Sequence, residues 1–163
     1  MKNIETERKF LVNRGAWERL QKPEGEAYVQ GYLCIDDQKS IRVRIAGNRG
    51  ILTIKGRTEG FSRSEFEYLI PVDEAREMLS LYANGLIEKT RYKVCHGKDL
   101  WEVDEFYGNN GGLLLAEIEL RGEKEEFEKP EWVAMEVTED HRYYNSYLSR
   151  HPFAFWPNKK PGK

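Results

Sequence analysis

The sequence predicts an α+β protein: an eight-stranded antiparallel β-barrel, or tunnel, with a charged lumen and an outer face covered by a few α-helices. Three observations lead there. Eight segments alternate with period two and are rich in β-forming residues. The connections between them are short and carry turn residues, which makes neighbours antiparallel. Charged residues recur two apart on one face of these segments: Glu5/Glu7/Lys9, Arg42/Arg44, Lys55/Arg57, Glu65/Glu67, Lys89/Arg91, Glu102/Asp104 and Glu117/Glu119/Arg121.

The strands are expected over residues 3–12, 27–35, 40–46, 51–57, 62–70, 87–94, 100–107 and 113–121. Asp36-Asp37, Gly47-Asn48-Arg49-Gly50, Glu59-Gly60, His96-Gly97-Lys98-Asp99 and the glycine-rich run from Gly108 to Gly112 are the hairpin signals. A short helix is expected over 15–20, with Trp17 and Leu20 inward. A second runs over 73–82, capped by Asp73, with Met78, Leu79 and Tyr82 on one side. Further helices are expected over 123–128 and over 138–149, the latter capped by Thr138. Residues 151–163 contain Pro152, Pro157 and Pro161 and end basic. They read as an extended tail, partly pinned by Phe153, Phe155 and Trp156, following a main domain over 1–150.

Residues i and i+2 of a strand share a face. The face opposite the charges carries Ile4, Ile41/Val43/Ile45, Leu52/Ile54, Phe66/Tyr68, Trp101/Val103 and Ile118/Leu120. This apolar face needs cover, and the helices supply it; whether they cover all of it, or a second copy of the chain in a homodimer shares the task, stays open. The charged face is then the inside. About eight strands close into a barrel whose interior holds side chains or one small ligand. A solvated face would have no need to sort by sign, yet single strands here carry pure acid or pure base pairs.

At 163 residues, one main domain is the expectation. The net charge of −2 beside a charged fraction of 33% argues against a nucleic-acid binder, which would be basic overall. No apolar run approaches the ~20 residues of a membrane span, and no signal peptide opens the chain, so it reads as cytoplasmic. Cys34 and Cys95 form no metal or redox motif, and His96, His141 and His151 are scattered. No phosphate-binding loop of the GxxxxGK type occurs.

Carboxylate pairs hold hard cations, and cation pairs hold phosphates. Glu5 with Glu7, and Glu117 with Glu119, are candidate Mg²⁺ or Mn²⁺ ligands, with Asp104 nearby. Arg42, Arg44, Lys55, Arg57, Lys89 and Arg91 would cradle a polyphosphate. Arg63, Glu65, Glu67 and Arg142 are secondary candidates. The bland alternative is a barrel laced with inert ion pairs, and burying so many charges would make that costly.

The ordered set Glu5-x-Glu7-x-Lys9, Arg42-x-Arg44, Thr53-Ile-Lys55, Arg63-x-Glu65-x-Glu67, Glu88-Lys89-x-Arg91, Glu102-x-Asp104 and Glu117-x-Glu119 resembles the CYTH superfamily, the triphosphate tunnel metalloenzymes. The likeness is nearest to its short bacterial members that hydrolyse inorganic triphosphate. It implies an antiparallel tunnel, divalent-metal dependence and a triphosphate-containing small-molecule substrate. It also implies Tyr32 paired with Lys9 as a base that activates water, since an ammonium favours a phenolate beside it. A tyrosine that only hydrogen-bonds substrate is the alternative. Adenylate cyclase, thiamine triphosphatase and nucleoside triphosphatase are rival reactions of the same tunnel, and a non-catalytic polyphosphate-binding module is a further one.

Overall fold

The computed structural model describes residues 3–157. Its strands are β1 (Ile4–Val12), β2 (Glu26–Ile35), β3 (Lys39–Ala46), β4 (Arg49–Gly56), β5 (Ser62–Ile70), β6 (Ile87–His96), β7 (Asp99–Phe106), β8 (Leu114–Leu120) and β9 (Val133–Glu136). The helices are α1 (Arg14–Arg19), α2 (Val72–Tyr82) and α3 (Asn145–Arg150). The strands run β5-β4-β3-β2-β6-β7-β8-β1 around the sheet, and a β5–β1 pairing closes it. All pairings are antiparallel. This is the closed eight-stranded barrel the alternation predicts, with β9 added beside the end of β1.

The closure rests on β1. Glu5 faces Arg63 of β5, while Glu7 faces Glu119 and Lys9 faces Glu117 of β8. On its other edge the Glu7 N–H donates to the Phe61 carbonyl and the Lys9 N–H to Thr138 Oγ1. β9 then pairs at Phe10 and Val12. Both edges of the strand are therefore bonded along most of its length.

Outside the barrel, α2 lays Ala75 and Leu79 against Val43, with Ile45 and Leu52 packed alongside. On the other flank Trp17 of α1, Trp132 and Phe127 cover Phe10, Trp101, Val103 and Ile118. The cover is incomplete: Phe66 and Tyr68 of β5 and Ile4 of β1 remain exposed.

One end of the interior is apolar. Leu11, Ile87, Phe106 and Leu115 share strand faces with Lys9, Lys89, Asp104 and Glu117, so they point inward. They pack with Tyr143, Leu148 and Phe153 of the C-terminal segment into a single cluster. The charged interior thus has an apolar plug, held by the chain after β9.

Several local expectations are corrected. Residues 123–128 form no helix. Phe127 instead packs edge-on against both Phe10 and Trp101, at centroid distances of 5.9 and 5.8 Å, and this anchor holds the segment extended. The expected helix over 138–149 shrinks to a 3₁₀ turn (His141–Tyr143) followed by α3. Thr138 does not cap it; its hydroxyl serves the β1 backbone and Glu136. Asp73 lies inside the first turn of α2, paired with Arg76, and Pro71 occupies the cap position. β9 has no counterpart among the expected strands. The basic end of the chain, including Lys159, Lys160 and Lys163, lies outside the described residues.

Candidate active site

The interior holds a cavity of about 270 Å³. Glu5, Glu7, Lys9, Tyr32, Arg42, Arg44, Lys55, Lys89, Arg91, Glu117 and Glu119 all line it, as do Arg63, Glu65, Glu67 and Glu102. Period-two alternation on a closed sheet brings these side chains together. Three expected residues lie elsewhere: Asp104, described below, Arg57 and Arg142. Arg57 follows the last residue of β4 and is exposed to solvent, because the strand ends one residue early. Arg142 is exposed and forks onto Asp140.

The cavity is polarised. On the wall made by β1, β8, β5 and the end of β4, six carboxylates (Glu5, Glu7, Glu65, Glu67, Glu117 and Glu119) stand against three cations (Lys9, Lys55 and Arg63). Lys55 Nζ lies 3.0 Å from both Glu5 oxygens and 3.2 Å from Glu65. Arg63 reaches Glu5 at 3.2 Å and Glu7 at 3.6 Å. Lys9 Nζ sits 3.2 Å from Glu117 and donates to the Tyr143 carbonyl at 3.1 Å.

Acids therefore exceed bases on this wall, and their protonation responds. Burial, then Glu117, pushes Glu7 up to about 7, with Lys55 only partly offsetting them. Glu119, at the rim, is also pushed up to about 7, by loss of water and then by Glu5, Glu65 and Glu102. Glu117 goes the other way. Burial opposes its charge, but Lys9 and Arg91 outweigh that and hold it well below the usual carboxylate range. Lys9 is the reciprocal case: burial works against its ammonium, and Glu117 and Glu7 raise it above its ordinary value.

The opposite wall, from β3, β2 and β6, is positive. Arg42 and Arg44 are both buried, and among the described residues neither forms an ion pair. Arg42 donates to Thr53 Oγ1 at 3.2 Å, and its Nε has no partner. Arg44 Nε donates to Gln30 Oε1 at 2.8 Å, and its guanidinium lies 4.5 Å from the Tyr28 ring centroid. Burial, then Arg42 and Arg91, pulls Arg44 below its ordinary value, and it stays a cation at neutral pH.

Asp104 is nearly fully buried behind this wall and, unlike the other expected metal ligands, is not among the residues that line the cavity. Arg91 forks onto its two oxygens at 2.8 and 2.9 Å, and Lys89 Nζ approaches at 2.7 Å. Both oxygens are thus committed. Burial opposes the Asp104 charge, but Arg91 and then Lys89 hold it well below the usual range. Arg91 also reaches Glu102 at 3.3 Å and Glu117 at 4.0 Å. Lys89 is pulled well below its ordinary value by burial first, then by Arg91 and Arg44, against the attraction of Asp104.

The acidic wall offers hard oxygen donors, which suit Mg²⁺ or Mn²⁺. The crowding that raises Glu7 and Glu119 is the condition a divalent cation relieves. Among the described residues no three carboxylates already stand as a metal cluster; Lys55 and Arg63 hold the Glu5 and Glu7 oxygens instead.

The expected pairing of Lys9 with Tyr32 is not formed. Lys9 takes Glu117, the Tyr143 carbonyl and, at 5.2 Å, the Tyr144 ring. Sequence reading also missed Tyr144, Asn145 and Ser146, which line the cavity from the C-terminal segment, and Ser40, Arg49 and Lys93 from the strands. Lys93 sits two residues past Arg91 and continues that pattern. Asn145 and Ser146 had no periodic signal to reveal them.

Comparison with known proteins agrees with this geometry. An inorganic triphosphatase of Acetivibrio thermocellus is 49% identical over 150 residues, spanning 91% of this chain and 95% of its own. An inorganic triphosphatase of Nitrosomonas europaea is 36% identical over 154 residues, spanning 89% and 96%. The crystal structure of the inorganic triphosphatase NE1496 superposes with a TM-score of 0.62 at 33% identity, covering 89% of this chain and 97% of that one. The PH1012 protein of Pyrococcus horikoshii OT3, at 19% identity and a TM-score of 0.59 over 74% of this chain and 80% of that one, shares the fold alone. The CYTH domain model matches residues 3–149, and on these grounds the chain belongs to the CYTH family.

Proposed function

We propose that the protein hydrolyses inorganic triphosphate to pyrophosphate and phosphate inside the barrel, with Mg²⁺ or Mn²⁺ bound by the acidic wall. The observation that carries this reading is the pair Arg42 and Arg44, buried on the positive wall without a carboxylate. A buried unpaired cation costs several kcal/mol. A phosphate group facing the two arginines would offset that cost with charge-assisted hydrogen bonds. The identities to two inorganic triphosphatases support the same substrate.

Glu5, Glu7, Glu117 and Glu119 would hold the metal, which when bound neutralises phosphate charge and orients the substrate. Arg42, Arg44, Lys89 and Arg91 would grip the phosphates and stabilise charge on the leaving pyrophosphate. Lys55, across from them, would shuttle between Glu5 and the substrate. Tyr32 would hold the attacking water, and Lys9 would keep Glu117 ionised. Charged side chains dominate the lining, beside three tyrosines and one aliphatic residue, Ile51, so most of the contacts the cavity offers are ionic ones suited to phosphate groups. That favours inorganic triphosphate over ATP or thiamine triphosphate.

The test is phosphate release from inorganic triphosphate, ATP and thiamine triphosphate at equal concentration, with Mg²⁺, with Mn²⁺ and with EDTA. Fast metal-dependent release from inorganic triphosphate alone is the expected result. Faster turnover of ATP would overturn the substrate assignment, and unchanged rates in EDTA the metal assignment. A Tyr32→Phe variant at full rate would remove Tyr32 from water activation.

A further inference from the structure

Gln30 sits on β2 with no exposure to solvent, between two cations of the positive wall, Arg44 and Lys89. Both of its polar atoms are used. Oε1 accepts from Arg44 Nε at 2.8 Å, and Nε2 donates to Asn145 Oδ1 at 3.1 Å. Asn145 Oδ1 also accepts from Lys89 Nζ at 2.9 Å. Arg44 and Lys89 possess donors only. They anchor the two ends of the amide relay and fix its direction: Arg44 must meet an oxygen, so Gln30 must turn its NH₂ toward Asn145, whose oxygen also meets Lys89.

The usual partner of a buried arginine is a carboxylate, which would satisfy the guanidinium and cancel its charge. A glutamate has the size and shape of glutamine and would fit this place. The neutral amide instead holds Arg44 through Nε while leaving its charge uncancelled. We propose that Gln30 is a positioning residue for anion binding: it fixes the Arg44 guanidinium through a neutral hydrogen bond, backed by Asn145, and so keeps the Arg44 charge for a substrate phosphate. This rests on the triphosphate reading of the cavity. Gln30 touches no substrate in this account; it acts through Arg44.

The test compares wild type, Gln30→Glu, Gln30→Met, Arg44→Gln and the Gln30→Glu/Arg44→Gln double variant, measuring kcat and KM for triphosphate and Tm without ligand. Gln30→Glu is expected to raise KM about 10- to 100-fold, the size of one charge-assisted hydrogen bond. Its ligand-free Tm reads two opposed changes, since Arg44 gains an ion-pair partner while the hydrogen bond from position 30 to Asn145 Oδ1 is lost. Gln30→Met removes the hydrogen bond but spares the charge, so its KM should rise less. With Arg44→Gln already present, Gln30→Glu should change KM by no more than about twofold. The inference is overturned if Gln30→Glu leaves KM within about twofold of wild type. It is equally overturned if Gln30→Met costs as much, or if the full penalty persists without Arg44. Should the wild type not turn over triphosphate, the functional reading fails on its own. The same variants are then compared by calorimetric binding of triphosphate, where Gln30→Glu must still weaken affinity and Gln30→Met less so.

Discussion

Lys55 Nζ stands 3.0 Å from both carboxylate oxygens of Glu5, so the end of β4 is bound to the start of β1 through the cavity wall. Arg63 shares the same carboxylate at 3.2 Å. Without a metal, two cations occupy the oxygens proposed as metal ligands. Replacing Glu5 by Gln keeps the shape and removes the charge both cations answer. Metal-dependent phosphate release should fall about 100-fold or more, the scale seen when one electrostatic group of a transition-state site is removed. Titrating the variant with Mn²⁺ checks the cause: raising the metal concentration should not restore the wild-type rate.

Glu7 and Glu119 give the metal-free protein a distinctive pH response. Folded, both keep their protons up to about pH 7, whereas an unfolded glutamate loses its proton near 4.5. Between those values the folded chain binds more protons than the unfolded one, so stability falls as pH rises. In EDTA, Tm should drop from pH 4.5 to 7 on their account and level off above. Saturating Mg²⁺ should raise Tm more at pH 8 than at pH 5. A Tm that climbs across this window in EDTA would contradict the crowded-acid wall.

Arg42 and Asp104 should respond in opposite ways to loss of charge. Arg42→Met removes a buried cation whose Nε has no partner. Thermal melting should show equal or greater stability, while triphosphate hydrolysis falls about 100-fold.

Asp104→Asn strips the shared anion from Lys89 and Arg91. Breaking a buried pair from one side costs about 3–5 kcal/mol. Urea unfolding should register a loss of that size, and adding metal should not reverse it.

The apolar plug can be weighed separately from the charges. Phe153 is buried in the cluster with Leu148, Leu115 and Phe106. Truncation to Ala in such a site costs about 3–5 kcal/mol. Urea unfolding of Phe153→Ala should report a loss in that range.

The strands and the charged lumen were legible because both depend on the same period of two. Once Glu5, Glu7 and Lys9 are placed on one face, the parity of every other strand follows from closure. What stayed hidden depends on packing between distant segments. Asp104 follows the lumen parity, yet its neighbours Lys89 and Arg91 converge on it and withdraw it from the cavity. Arg57 obeys the alternation one residue beyond the point where β4 ends. Residues 133–146 carry no strong period, because their course is dictated by what they cap: Thr138 goes to the β1 backbone, and Asn145 to Gln30 and Lys89. The four glutamates near Phe127 look helical by propensity, and the aromatic anchor overrides it.

β1 carries three of the charged residues and has no slack. β8 is bonded along one edge, while β5, Phe61, Thr138 and β9 are bonded along the other. A free strand bearing crowded carboxylates would fray until they drew apart. Clamped on both sides, this one transmits its electrostatic pressure into the frame of the barrel. The tightness of cation capture is then set by how firmly the frame resists. Substitutions that loosen β9 or the Thr138 clasp, remote from any charge, would surface first as weakened metal affinity and faster amide exchange at Glu7 and Lys9.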